Sequence, residues 1–131
     1  MVMNRQGRNP LDTLAPLLSA RELCAMQEEV ENTYVSQEVV NYIVALIGAT
    51  RSSEHILRGA SPRATLSVTA MAKAIARLRG RDFVIPKDVQ EVFAATVAHR
   101  LQLSPKAEGA GLGPHQVLKL ILGGVSAPRL R

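Results

Sequence analysis

Between Pro62 and Gly80 the chain places apolar residues at Ala64, Val68, Met71, Ile75 and Leu78, a 4, 3, 4, 3 alternation. That spacing gathers the residues into one stripe on an α-helix and would scatter them over both faces of a strand. The segment is punctuated at both ends. Ser61 stands at the N-cap position and Pro62 at the first helical position, where a missing N–H costs nothing; Gly80 follows the last periodic residue as a stop. The stripe predicts a helix with a buried seam, which needs partner elements to cover it.

The other segments predict helices as partners. Ser19 with Glu22 three residues on forms a capping box ahead of "SARELCAMQEEVEN", where Leu23, Met26 and Val30 mark one face. In "VSQEVVNYIVALIGATR", Ser36 is the N-cap and Glu38 lies in the dipole-favoured first turn. Val39, Ile43 and Leu46 beside Val40, Val44 and Ile47 make two apolar rows, so this helix is expected to be the most buried. "FVIPKDVQEVFAATVAHRL" predicts a short extended approach and a helix from Pro86, with Val89, Val92, Phe93, Val97 and Leu101 inward. "TRSSEHILRG" (50–59) and the glycine-rich 104–113 are expected as loops, and "PHQVLKLIL" as a short last helix stopped by Gly123 and Gly124. Residues 1–10 form a polar tail, "PLDTLAPLL" packs as an irregular strap or a short helical turn, and "SAPRLR" is a second tail.

Composition agrees with helices on helices. The 131 residues suffice for one domain with a core, and with no Trp, two Phe and two Tyr that core is aliphatic. The expected fold is an all-α small helical bundle of four main helices plus a short C-terminal helix.

The net charge of +5 is unevenly distributed. Glu22, Glu28, Glu29, Glu31 and Glu38 face only Arg21 across residues 21–38; Arg51, Arg58, Arg63, Lys73, Arg77, Arg79 and Arg81 face only Glu54 across residues 51–81. A basic stripe beside an acidic element suits an anionic partner or a complementary protein surface, and equally an ordinary solvated face. Cys24 is the single cysteine, with no disulfide partner in the chain, and is expected as a small buried hydrophobe in a reducing compartment. The first residues carry no apolar signal-peptide core and no apolar run approaches a membrane span, so a cytoplasmic protein is expected.

The chemistry of a complete enzyme is missing. His55, His99 and His115 are scattered without ligand spacing, no nucleophile–base pair is evident, and no G-x-x-x-x-G-K-[ST] phosphate loop occurs. Asp82, Asp88 and Glu91 surround the start of the fourth helix, where cap and dipole roles account for them. What remains is "GASPRA". Gly59 gives a flexible approach, Ser61 caps, and Arg63 stands near the second helical position. A helix N-terminus suits phosphate, and an arginine fork grips phosphate oxygens. A local pair with Glu54 would explain Arg63 equally well.

"LLSARELCAMQEEV", "YIVALIGATR", "GASPRATL" and "LRGRDFVIPKDVQEVFAATVAHRL", in this order from about Pro10 to Pro128, resemble the C-terminal lid of MoxR-type AAA+ ATPases. The resemblance implies a division into residues 1–18, a strap from a missing N-terminal P-loop domain, 19–103, the helical lid, and 104–131, a glycine-rich loop, short helix and tail. It puts Arg63 at the family's sensor 2 position, reaching the γ-phosphate, with Ser61 and, more weakly, Arg51 beside it. It implies ATP and Mg held mainly by the missing domain, with no cofactor for this fragment alone, which would hydrolyse nothing while the full-length protein is an ATP hydrolase. The implied partners are that core domain, neighbouring subunits of a ring, often a hexamer, and a protein with a von Willebrand A domain; the implied role is a chaperone maturing other complexes. The pattern departs at Ile85, where a capping Thr is usual before the proline, at a cost of about 1 kcal/mol in that N-cap. A second expectation is a basic helical DNA-binding module around "ARLRGRDFVIPKDVQEVF", which the lack of stacking aromatics disfavours, and a third is an adaptor docking through Glu22 to Glu38.

Overall fold

The Ser19 hydroxyl accepts the Glu22 N–H at 3.2 Å while the Glu22 carboxylate accepts the Ser19 N–H at 2.7 Å, so the first helix starts where its capping box puts it. The computed structural model describes residues 10–129. They form a 3₁₀ turn (Pro10–Thr13), α1 (Ala20–Glu31), α2 (Gln37–Ser52), β1 (Ile56–Arg58), α3 (Pro62–Leu78), α4 (Pro86–Val97), a 3₁₀ turn (Ala98–Arg100), β2 (Gln102–Leu103), α5 (Pro105–Gly109) and α6 (Pro114–Gly124). This is the expected all-α bundle, with a two-stranded patch at one side. Residues 1–9 of the N-terminal tail and 130–131 of the C-terminal tail lie outside the described residues.

The core is aliphatic. Val39, Ile43, Leu46 and Ile47 of α2 meet Val89, Val92, Phe93 and Val97 of α4 and Val117, Leu118 and Ile121 of α6. α3 differs from the expected 4, 3, 4, 3 seam. It buries Ala64, Val68, Ala72 and Ala76, a row at a spacing of four, while Met71 is half exposed and Leu78 is 83 % exposed. α3 has apolar residues on two sides, and the small alanine row is the one that lets α4 approach closely, ridge into groove. Val44 of α2 likewise faces outward, leaving Tyr42 and Thr50 among its buried residues.

α1 buries none of its residues, so Cys24 is exposed rather than buried as expected. The helix is held chiefly at its C-terminal end. Lys73 Nζ donates to the Glu31 carbonyl at 2.8 Å, and Arg77 Nε to the Glu29 carbonyl at 3.0 Å and the Thr33 hydroxyl at 2.9 Å. α1 has no basic residue in its last turn, and these two cations of α3 satisfy carbonyls that a helix end leaves unpaired. Beyond α1, the Tyr34 N–H donates to the Asp82 carbonyl and the Val84 N–H to the Tyr34 carbonyl, tying the α1–α2 link to the α3–α4 link. The segment before α1 forms the expected short helical turn, Pro10–Thr13, but its leucines stay outside the core: Leu11, Leu14 and Leu17 all stand exposed, Leu17 at 96 %.

Two expected loops contain structure. Within 50–59, β1 pairs antiparallel with β2, Ile56 opposite Leu103 and Arg58 opposite Gln102. Strands this short carry too few residues for an alternation to register in the sequence. Within 104–113, Ser104 caps the one-turn α5, its hydroxyl accepting the Ala107 N–H at 3.3 Å and donating to the Glu54 carbonyl at 2.8 Å. No helix among the described residues is long and apolar enough to cross a membrane.

Candidate functional site

The "GASPRA" segment is built onto the last turn of α2. The Thr50 hydroxyl, fully buried, donates to the Ile47 carbonyl at 2.7 Å and accepts the Ala60 N–H at 3.0 Å. Arg51 Nε donates to the Ala60 carbonyl at 2.9 Å. Both polar backbone groups of Ala60 are thus held by neighbouring residues of one helix end. The two chains lie so close that a Cβ on Gly59 would stand 2.7 Å from the Thr50 carbonyl oxygen and 2.8 Å from the Arg51 Cα. Gly59 is required here by close approach, not by the flexibility the sequence suggested.

From Ala60 the chain turns into α3. Ser61 has the extended backbone of an N-cap and Pro62 follows at the first helical position, as expected, but the Ser61 hydroxyl makes no capping bond. The other serine caps contrast with it: Ser19, Ser36 and Ser104 accept the N–H of Glu22, Val39 and Ala107. The Ala64 N–H turns back onto the Ser61 carbonyl at 2.9 Å instead, so no side-chain acceptor closes the first turn. Arg63 is exposed at that turn, and its guanidinium has no hydrogen-bond or ion-pair partner among the described residues. The alternative pair with Glu54 is not made. Glu54 bonds Lys106 instead, and that contact, with the nearby His55 at 3.7 Å, holds its carboxyl below the usual range.

The basic stripe is not one surface. Lys73 and Arg77 are turned onto α1, as described above. Arg79 Nη2 meets Glu91 at 2.6 Å and its Nη1 meets Asp88 at 3.3 Å; Arg81 takes both oxygens of Asp88, at 2.6 and 2.8 Å. Arg51, Arg58 and Arg63 remain, on the three consecutive elements α2, β1 and α3. Asp88 also accepts the Ile85 N–H at 2.9 Å, which restores one arm of a capping box that Ile85, lacking a side-chain oxygen, cannot complete. The cap role expected for Asp88 is therefore present, but the ion pair of this buried carboxylate with Arg81 was missed. Arg81 and Asp88 are seven residues apart across a turn, and no helical periodicity relates them.

Among the described residues no group of three or more His, Cys, Asp or Glu is placed to hold a metal ion. The site offers cationic donors suited to phosphate oxygens.

Comparison with known proteins places these features in a family. The profile described as AAA lid domain matches residues 48–119, from the last turns of α2 into α6. The chain is 37 % identical over 138 residues to Chaperone MoxR1 of Mycobacterium tuberculosis (strain ATCC 25618 / H37Rv), covering 98 % of this chain and 36 % of that protein. It is 32 % identical over 124 residues to the uncharacterized protein YeaC of Bacillus subtilis (strain 168), covering 95 % of this chain and 39 % of that one. A crystal structure of a candidate ATPase from Cytophaga hutchinsonii ATCC 33406 superposes with a TM-score of 0.84 at 28 % identity, over 97 % of this chain and 41 % of the other. The chain thus spans 36–39 % of the length of these two curated relatives.

Proposed function

This chain belongs to the AAA lid domain family, in its MoxR-type branch, and from that premise we propose that it is the lid of an ATPase in which Arg63 senses the terminal phosphate of ATP held by a separate P-loop domain. The single observation that carries the reading is the start of α3: an arginine without a partner among the described residues, on a helix turn where the Ser61 hydroxyl caps no N–H. Phosphate supplies what both lack, an anion for the fork and an acceptor for the first turn.

Phosphoryl transfer is mostly positioning and charge stabilisation, so one arginine delivered by a moving domain can couple closure to chemistry. Bound nucleotide would bring the oxygens to be gripped. The chain's own part is to present Arg63 from a helix whose seam is anchored in the core, with Ser61 beside it and Arg51 behind it. Mg would be held by the P-loop domain. The exposed leucines of the strap, with Leu23 and Met26 of α1, offer apolar surface to that domain or to the next subunit of a hexameric ring. The same ring could place Arg63 against a neighbour's nucleotide. A chaperone role for the whole assembly follows the name of the Mycobacterium relative; a cytoplasmic setting and a von Willebrand A protein as partner belong to the family resemblance alone.

The test is ATP turnover by a protein joining this lid to a P-loop core. Arg63→Ala should cut kcat by on the order of a hundredfold, the scale at which a transition-state donor acts. Turnover at the wild-type rate would remove Arg63 from the role.

A further inference from the structure

We infer that Thr50 is a positioning residue for Arg63, acting through Ala60. The inference rests on the proposed sensor role of Arg63 and extends it to a residue in another helix.

Three observations converge. The Thr50 hydroxyl is buried and uses both of its capacities, donating to the Ile47 carbonyl within α2 and accepting the Ala60 N–H from outside it. Arg51 takes the other polar group of the same residue, the Ala60 carbonyl. Gly59 brings the two backbones to a separation that no side chain could share. Ala60, itself buried, is therefore fixed from both sides by two consecutive residues of α2, three positions before Arg63. Between them lie Ser61, extended, and Pro62, whose φ is fixed by its ring. The first turn of α3 inherits its position from the last turn of α2 with little slack.

A threonine within a helix usually closes its hydroxyl on its own helix alone and has no need of an outside partner. Here the hydroxyl faces an N–H that would otherwise be buried without an acceptor, since Ala60 is outside any helix or strand. A phosphate-gripping arginine is useful only when its fork arrives in register, and small misplacements in such geometry are costly to turnover. Thr50 has that consequence without touching the nucleotide.

The experiment is a double-mutant cycle in the core-plus-lid protein, reading kcat and the KM for ATP. Thr50→Val removes the hydroxyl at nearly constant volume and should lower kcat by on the order of tenfold with KM within about twofold. Thr50→Ser, which keeps the hydroxyl, should restore most of the loss. The decisive arm combines Thr50→Val with Arg63→Ala: the pair should be no slower than Arg63→Ala alone, because a displaced arginine that is already absent cannot be lost twice. Losses that multiply, or wild-type kcat in Thr50→Val, would overturn the inference while leaving the sensor role intact. Wild-type turnover in Arg63→Ala would overturn both. If Thr50→Val fails to fold, Arg51→Met replaces it in the same cycle; Arg51 is exposed, and the change removes the donor to the Ala60 carbonyl. A loss there that multiplies with Arg63→Ala counts against the inference as well.

Discussion

Arg81 closes on Asp88 as a two-point fork, Nη2 to Oδ1 at 2.6 Å and Nη1 to Oδ2 at 2.8 Å, with the carboxylate fully buried and the arginine partly so. Burial alone would push the Asp88 carboxyl up, but the Arg81 fork, the Ile85 N–H and the charges of Arg81 and Arg79 together hold it below its ordinary value of 3.8. The same contact raises Arg81. Removing one partner strands the other, so Asp88→Asn should destabilise the fold by about 3 kcal/mol in urea unfolding at neutral pH.

The direction of the Asp88 shift also fixes a pH dependence. A carboxyl depressed in the folded state contributes stability that is fully present above its unfolded value and is lost as pH falls through its folded one. The Asp88 contribution should therefore hold down to about pH 4 and fade below it. Urea midpoints measured from pH 6 to pH 2 should fall more steeply in wild type than in Asp88→Asn. Parallel curves would show that other carboxylates govern acid unfolding.

α1 depends on two borrowed cations. Since it buries no side chain, its attachment rests mainly on Lys73 and Arg77 reaching its C-terminal carbonyls. Arg77→Met keeps the stem and removes the Nε–H that the Glu29 carbonyl and the Thr33 hydroxyl share, and should cost about 1 to 2 kcal/mol. Amide hydrogen exchange should speed up through α1 first, while α2, α3 and α4 keep their protection. Equal loss of protection in all four helices would mean that α1 is integral to the core.

Gly59 tests the close approach directly. Gly59→Ala sets a Cβ against backbone atoms that cannot move aside, and should cost about 2 kcal/mol as overpacking. Gly48, with open space where its Cβ would stand, is the control: Gly48→Ala in the exposed interior of α2 should stabilise by up to about 1 kcal/mol. Thermal unfolding of the two variants should therefore shift in opposite directions.

The helices were legible in the sequence because their signals are local. Ser19 with Glu22, Ser36, Pro62 and Pro86 mark starts, and Gly80, at φ 70°, marks a stop. Which face of α3 turns inward was legible at its start, where Ala64 and Val68 are buried as expected, but not beyond, because Leu78 and Met71 outrank Ala72 and Ala76 in hydrophobicity and only the packing of neighbouring helices makes the smaller residues preferable. Arg63 stood out as an unexplained cation at a helix start, and its lack of a partner in the fold keeps it so. The cations around it looked like one patch, yet Lys73, Arg77, Arg79 and Arg81 find partners on other elements, a sorting that depends on tertiary placement. Thr50 gave no signal at all: nothing in "GATR" indicates that its hydroxyl faces a backbone N–H ten residues away.

Ser61 separates a capping serine from one available to a ligand. At Ser36 the hydroxyl accepts the Val39 N–H at 3.4 Å, and Ser36→Ala should cost about 1 kcal/mol, as loss of an N-cap does. At Ser61 the backbone adopts the same extended conformation, but the hydroxyl bonds nothing in the first turn, and the Ala64 N–H has already turned to the Ser61 carbonyl. Ser61→Ala should therefore change stability by no more than a few tenths of a kcal/mol, roughly the scale of a surface substitution. Urea unfolding of the two variants, each measured without nucleotide, makes the comparison. A loss at Ser61 equal to that at Ser36 would mean that the hydroxyl caps α3 in solution, and the turn beside Arg63 would then have no acceptor left to seek from phosphate.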